Sequence, residues 1–314
     1  MNDLLFSLNA TVPIFLVVAL GYFLRQIHFF EGTFLDTVSR VVFNIALPVS
    51  LFNSVYTSDI SAAFNGPLIG FTVSGIIVAA ALGILYVRIR VPDPTKASVV
   101  DQCIFRSNAV LLGLPLAQNI LGKSAMGPTA VVIAFAIPLY SILAVIVFAW
   151  FGAEKGHVSI VNILKNIVRN PLIIGTVAAV PFALIPIPLP VMITSALGSV
   201  GGLAMPLGLL MMGGEFQLSS LRGEKEPLIV ATLGRCVVIP GLMLTAAALL
   251  GFRGANLCAL LVLFATPASV SSFIMAKNMG GHADLAAQSV LTTMLLSVLT
   301  TTAGIFILHG LRLL

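Results

Sequence analysis

The sequence predicts an all-α membrane protein of ten transmembrane helices, arranged as two inverted five-helix repeats. Three observations carry that expectation. Of 314 residues, 59% are hydrophobic and only 9% are charged, with a mean hydropathy of +1.10. Soluble domains hold about 25% charge, so lipid is the expected surrounding. Ten apolar segments reach the roughly 20 residues that a bilayer span needs. Two of those segments are interrupted at their midpoints by residues that hydrocarbon rejects, and the interruptions lie 160 residues apart.

Segment one (5–24) follows Met1-Asn2-Asp3, which has no basic leader pattern, so a retained span is expected rather than a signal peptide. Segment two (34–55) carries Ile45-Ala46-Leu47-Pro48-Val49-Ser50-Leu51, and segment three (64–87) opens near Pro67. Segment four (97–121) is broken at Phe105-Arg106-Ser107-Asn108. Segment five (125–151) ends at Trp150, an amphipathic ring suited to a membrane interface. Segment six covers 160–184, and segment seven (191–214) carries Leu203-Ala204-Met205-Pro206-Leu207-Gly208-Leu209. Segment eight (227–250) opens at Pro227 and contains Arg235. Segment nine (255–279) is broken at Ala265-Thr266-Pro267-Ala268-Ser269, and segment ten runs over 284–308.

Three offsets relate the halves: Pro48 to Pro206 is 158 residues, while Pro67 to Pro227 and Ser107 to Pro267 are each 160. The repeats are therefore expected at 1–155 and 156–314. Five spans per half force the second copy to enter the membrane from the opposite face, as in many secondary transporters. Basic residues follow the same scheme. The odd-numbered connections and nearby helix ends hold 13 Lys and Arg, or 11 with the embedded Arg106 and Arg235 set aside, against 3 at the even connections and termini. The positive-inside rule then places the odd connections in the cytoplasm and both termini outside a plasma or bacterial inner membrane.

Several function classes are disfavoured. The pI near 9.4 does not point to nucleic acid, because the basic residues are not pooled. Cys103, Cys236 and Cys258 all sit in apolar segments and read as small buried hydrophobes. His28, His157, His282 and His309 sit at segment ends, too scattered for a metal site or a proton relay. No phosphate-cradling glycine loop precedes a lysine, and no enzyme signature stands out.

Three strings carry a resemblance to a known family. They are Asn44-Ile45-Ala46-Leu47-Pro48, the run Arg106-Ser107-Asn108-Ala109-Val110-Leu111-Leu112-Gly113-Leu114-Pro115-Leu116, and Thr266-Pro267-Ala268-Ser269 followed by Phe273-Ile274-Met275-Ala276-Lys277-Asn278. The chain resembles the auxin efflux carrier family over nearly its whole length, in the branch similar to bacterial malonate transporters. That family is related to bile-acid sodium symporters. The resemblance implies ten helices in two inverted repeats, with helices four and nine broken and crossing at mid-membrane. Helices three to five and eight to ten would move against a scaffold of helices one, two, six and seven, through which a homodimer would form. Plant members have a long loop between helices five and six and tend to carry Pro-Asn at the first crossing. Here the loop is only about Gly152 to Ser159, and the crossing reads Ser107-Asn108.

In this topology the second half-helix of each broken segment points its N-terminus at the same mid-membrane region. N-termini carry free N–H groups and positive dipole ends, which favour an anion. The half-helices are expected to start near Ser107 and Asn108, and near Ala268 and Ser269. Ser107, Asn108, Ser269, Ser271 and Ser272 either cap those ends or touch the ligand. Thr266 and Pro267 belong to the same break. Arg106 lies roughly 13 Å into segment four at ~1.5 Å per residue, near the midplane of a ~30 Å core. Its planar fork suits a carboxylate; snorkelling or pairing with Asp101 is the alternative. Arg235 is comparably deep, but no break lies on its segment, so a structural or interfacial role is expected. Asn44, Tyr140 and Gln288 are further polar candidates for the cavity.

Asp101 and Glu215 are placed near the cytoplasmic ends of segments four and seven, and no carboxylate falls at an evident midplane position. Coupling to sodium or to protons is left open, and no other cofactor is expected. The expected function is secondary transport of a small organic anion by alternating access. A membrane sensor of a metabolite or sterol is the alternative from another class.

Overall fold

The computed structural model describes residues 2–57, 65–151, 169, 171–184, 188–214 and 225–314. Helix α1 (Asn2–Gln26) is followed by α2 (Gly32–Val41), which continues through a π turn (Val42–Ala46) into α3 (Leu47–Tyr56). Helix α4 (Gly66–Arg90) leads to α5 (Pro94–Phe105), which stops at the first interruption. A second π turn (Ala109–Gly113) opens α6 (Leu114–Leu121), and α7 (Lys123–Trp150) follows. Next come α8 (Pro171–Leu184), α9 (Val191–Gly202) and α10 (Ala204–Gly214). Helix α11 (Lys225–Leu233) passes through a third π turn (Gly234–Val238) into α12 (Ile239–Leu249). Helix α13 (Gly254–Ala265) stops at the second interruption, α14 (Ser271–Asn278) resumes beyond it, and α15 (Ala283–Gly310) is the last helix.

Seven of the described stretches are long and apolar enough to cross a membrane: Leu5–Gln26, Gly32–Asn53, Gly66–Arg90, Lys123–Trp150, Val191–Gly214, Lys225–Leu249 and Ala283–Gly310. Each coincides with an expected span. Of the other three, segments four and nine are divided into shorter apolar helices. Segment six is described only over Pro171–Leu184. The connection from Gly152 to Ser159, the repeat boundary at 155/156, Lys155, His157, Lys165, Glu215 and Arg222 lie outside the described residues.

The three π turns have a common cause. Each is followed, two residues after its end, by a proline: Pro48, Pro115 or Pro240. A proline donates no backbone hydrogen bond, and its ring crowds the carbonyl four residues earlier. Those carbonyls belong to Asn44, Leu111 and Cys236, all inside the π turns. The helix relieves the conflict by widening one turn, so the N–H of Leu47 reaches Val42 O and that of Ile239 reaches Gly234 O. Such widened turns often mark functional positions.

Helices α1 and α10 approach backbone to backbone. A Cβ added at Gly213 would overlap the Val18 carbonyl, and one at Gly21 would overlap that of Leu210. Helices α3 and α8 meet the same way through Gly175 and the Pro48 carbonyl. Close approach through small residues is how helices associate where lipid removes the hydrophobic drive between them. Trp150 is exposed, with the Arg88 guanidinium 5.5 Å from its ring centre.

Outside the apolar helices, α5 is started by Asp93, whose Oδ1 accepts from the Thr95 N–H at 2.9 Å and the Thr95 hydroxyl at 2.7 Å. Pro94 occupies the first turn, where its missing N–H costs nothing. The Thr95 hydroxyl holds the Asp93 carboxyl below its ordinary range, aided by Lys96 at 3.6 Å. A lowered folded-state value means that the cap contributes fully above the unfolded carboxylate range. Its contribution is lost as pH falls through the folded value. Asp93→Ala is expected to cost about 1 kcal/mol at neutral pH. In thermal melts, the gap between parent and variant should close as the buffer is made strongly acidic.

Candidate functional site

The two interruptions are paired. Ser107 and Ala268 form an isolated antiparallel β-bridge. The Asn108 N–H donates to Pro267 O at 2.8 Å, and the Ser269 N–H donates to Arg106 O at 3.3 Å. Arg106 and Thr266 are extended, with ψ of 110° and 151°. Each break thus supplies the backbone partners that the other needs, as buried non-helical backbone requires. The half-helices start slightly later than expected, at Ala109 and Ser271, because the bridge takes up the intervening residues.

Five carbonyls at the ends of α5 and α13 point at Arg235, on the third π turn. Its Nε donates to Thr266 O at 2.8 Å, and its Nη2 to Leu263 O and Phe264 O at 2.8 and 2.9 Å. Its Nη1 donates to Ile104 O and Phe105 O at 3.1 and 3.4 Å. The residue is 0% exposed. The remaining carbonyls of this turn are filled by hydroxyls, Thr266 onto Val262 O and Thr301 onto Ala265 O. A cation where two helix C-termini converge also answers their negative dipole ends. The expected structural role of Arg235 therefore holds, while the interfacial one does not. No break lies on its own segment because it serves the breaks of two others.

On the opposite side of the bridge, a cavity of about 240 Å³ is lined by Arg106, Ser107, Asn108, Tyr140, Ser269 and Ser271, with Asn44 and Ser141 also on its wall. Ala109, Val110 and Leu111 from one half-helix start and Val270 from the other complete the polar end. The first N–H groups of a helix lack intrahelical acceptors, so Ala109 to Leu111 and Val270 to Ser271 bring both starts to this space, while the Ser272 and Phe273 N–H groups are taken by Ser269 O and Val270 O. Ser107 Oγ and the Tyr140 hydroxyl are 2.9 Å apart, and Ser269 Oγ lies 2.7 Å from Ser271 Oγ. The Asn108 amide reaches the thioether of Met212.

Arg106 has a different setting from Arg235. Its guanidinium meets the Met275 thioether, and among the described residues no oxygen accepts from it. A thioether is a weak acceptor. An Asp101 pair does not account for Arg106, since Asp101 makes no ion pair with it.

Four expected site residues are not on the cavity wall. Thr266 and Pro267 lie behind the bridge, with the Thr266 hydroxyl spent on Val262 O and the Pro267 carbonyl on Asn108. Ser272 is buried with no hydrogen-bond partner for its hydroxyl, and the Gln288 side-chain oxygen is likewise buried without one. The neighbouring helix α15 supports the bridge instead through Thr293, whose hydroxyl accepts from the Ala268 N–H at 3.2 Å. Among the described residues there is no His, Cys, Asp or Glu cluster suited to a metal.

A family model described as membrane transport protein matches residues 6–305. The chain belongs to that family. It is the one to which the auxin efflux carrier resemblance pointed. Two relatives agree with it in both length and description. One, from Methanothermobacter thermautotrophicus, is named "Uncharacterized transporter" and is 23% identical over 299 residues, covering 94% of this chain and 96% of its own. The other, from Rhizobium meliloti, is named "Putative malonate transporter" and is 24% identical over 306 residues, covering 95% of each. The protein is accordingly a membrane transport protein by family.

Proposed function

We propose that this chain is a secondary transporter of small organic anions, carboxylates of the malonate class, working by alternating access around the paired breaks. The observation that carries the reading is the Arg106 guanidinium beside two half-helix starts, with no oxygen acceptor among the described residues. Arginine recognises a carboxylate with two parallel bonds, and the dipole ends add to the positive potential. The cavity falls below the 300–1,000 Å³ typical of drug-sized ligands, which favours a small substrate. The name of the Rhizobium meliloti relative supports the same class.

The full arrangement proposed is ten helices in two inverted repeats, with broken segments four and nine crossing at mid-membrane. One bundle rocks against the scaffold, and both termini face outside. Uptake of a radiolabelled panel of mono-, di- and tricarboxylates into proteoliposomes tests the function. Uptake of short dicarboxylates, with larger or neutral compounds refused, supports it. Uptake of none of them, by protein shown to be folded, contradicts it.

A further inference from the structure

Asp101 is a buried carboxyl group that the site above does not use. It lies on α5, one turn before the break, and is 0% exposed. Neither carboxyl oxygen has a hydrogen-bond partner, and no cation lies within ion-pair distance among the described residues. The fold makes room for it deliberately: a Cβ at Gly83 of α4 would overlap its Oδ1. Ala80 and Val87, on the same face of α4, are buried and apolar. Burying a bare carboxylate without a partner in such a pocket is costly.

The charged and titratable residues on the elements packed against α5 do not change this. Helix α4 carries Tyr86, Arg88 and Arg90, α7 carries Lys123 and Tyr140, and α11 carries Lys225 and Glu226. The third π turn carries Arg235 and Cys236, α14 carries Lys277, and α15 carries Asp284 and His309. Of these, none whose side chain is described bonds or pairs with the Asp101 carboxyl. Arg235 spends its donors on five carbonyls, and Arg106 faces Met275.

We infer that Asp101 is a proton-binding site, and that its proton travels with the anion held at Arg106. The inference rests on the function proposed above and supplies its coupling ion. With Asp101 neutral, Arg106 and Arg235 leave two positive charges in the core, which a dicarboxylate dianion cancels. With Asp101 ionised, one is left. In the step itself, a carboxylate oxygen of Asp101 takes a proton from water on one side, forming O–H. The same bond breaks on the other side, so one proton moves per turnover. A water-accessible end lies close by. A cavity of about 330 Å³ at the α4–α5 connection is lined by Arg90, Pro92, Asp93, Lys96, Lys225 and Glu226. Lys96 precedes Asp101 by five residues, roughly 7.5 Å along the helix axis.

Two measurements test the inference. The first needs no substrate: infrared spectra of the full chain in lipid nanodiscs at neutral pH, for the parent and Asp101→Asn. The parent should show a protonated-carboxyl C=O band that the variant lacks, with unchanged melting, because the amide mimics the neutral acid. Coincident spectra overturn the proton site. The second uses malonate in proteoliposomes with the membrane potential clamped. A gradient of one pH unit should drive roughly tenfold accumulation by the parent. Asp101→Asn should exchange malonate across the membrane yet not accumulate it. Parent-like accumulation by the variant overturns the coupling. A parent that moves no malonate counts against the substrate class instead, and the infrared comparison still decides the proton site.

Discussion

Replacing Arg235 with alanine is expected to remove most of the folding stability of this protein. Five carbonyls from two helix ends accept from that one side chain. At the ~0.6 kcal/mol average for an interhelical hydrogen bond in a membrane, their loss is worth about 3 kcal/mol. At the 1–3 kcal/mol cost of stranding a buried acceptor, the loss approaches the whole 5–15 kcal/mol by which proteins are stable. Lysine does not rescue it, because one ammonium with three donors cannot span acceptors on both α5 and α13. Detergent-solubilised Arg235→Ala and Arg235→Lys should aggregate on size exclusion or melt far below the parent. Melting with the parent would mean that other donors reach those carbonyls.

Arg106→Gln is expected to do the opposite, sparing the fold and removing anion binding. Its side chain holds no backbone carbonyl among the described residues, so the melting temperature should stay near the parent's. A hydrogen bond to a charged group is worth about 1.5–3 kcal/mol, which makes a tenfold or larger rise in KM for dicarboxylate uptake the expected minimum. Arg106→Lys keeps the charge and loses the fork, so it should fall between the two. Paired with Arg235, this substitution separates a side chain that recognises substrate from one that holds the backbone together.

Much of the fold was legible because lipid imposes a simple code. The seven continuous spans appear where unbroken hydrophobicity placed them. Both interruptions were visible because Arg106, Asn108 and Pro267 stand inside apolar runs. What escaped was long-range. Arg235 serves carbonyls 28 to 131 residues away, and nothing on its own segment announces them. The pairing of Ser107 with Ala268 explains why the half-helices begin at Ala109 and Ser271, later than the break residues suggested. Asp101 was placed near a helix end and treated as peripheral. Its burial depends on Gly83 of α4 opposite, which periodicity along α5 does not reveal. Ser272 and Gln288 were reasonable as polar residues near the break, yet both are buried away from the cavity wall. The π turns were readable in hindsight from Pro48, Pro115 and Pro240, since each proline fixes which carbonyl goes unbonded.

The central claim is that the cavity at the paired breaks holds a small carboxylate by charge. Calorimetric titration of the purified protein with malonate, and with malonamide as its neutral counterpart of similar shape, tests that claim most directly. Malonate should bind and malonamide should not, and Arg106→Gln should lose the malonate signal. Equal binding of the two compounds, or malonate binding that survives Arg106→Gln unchanged, would contradict it.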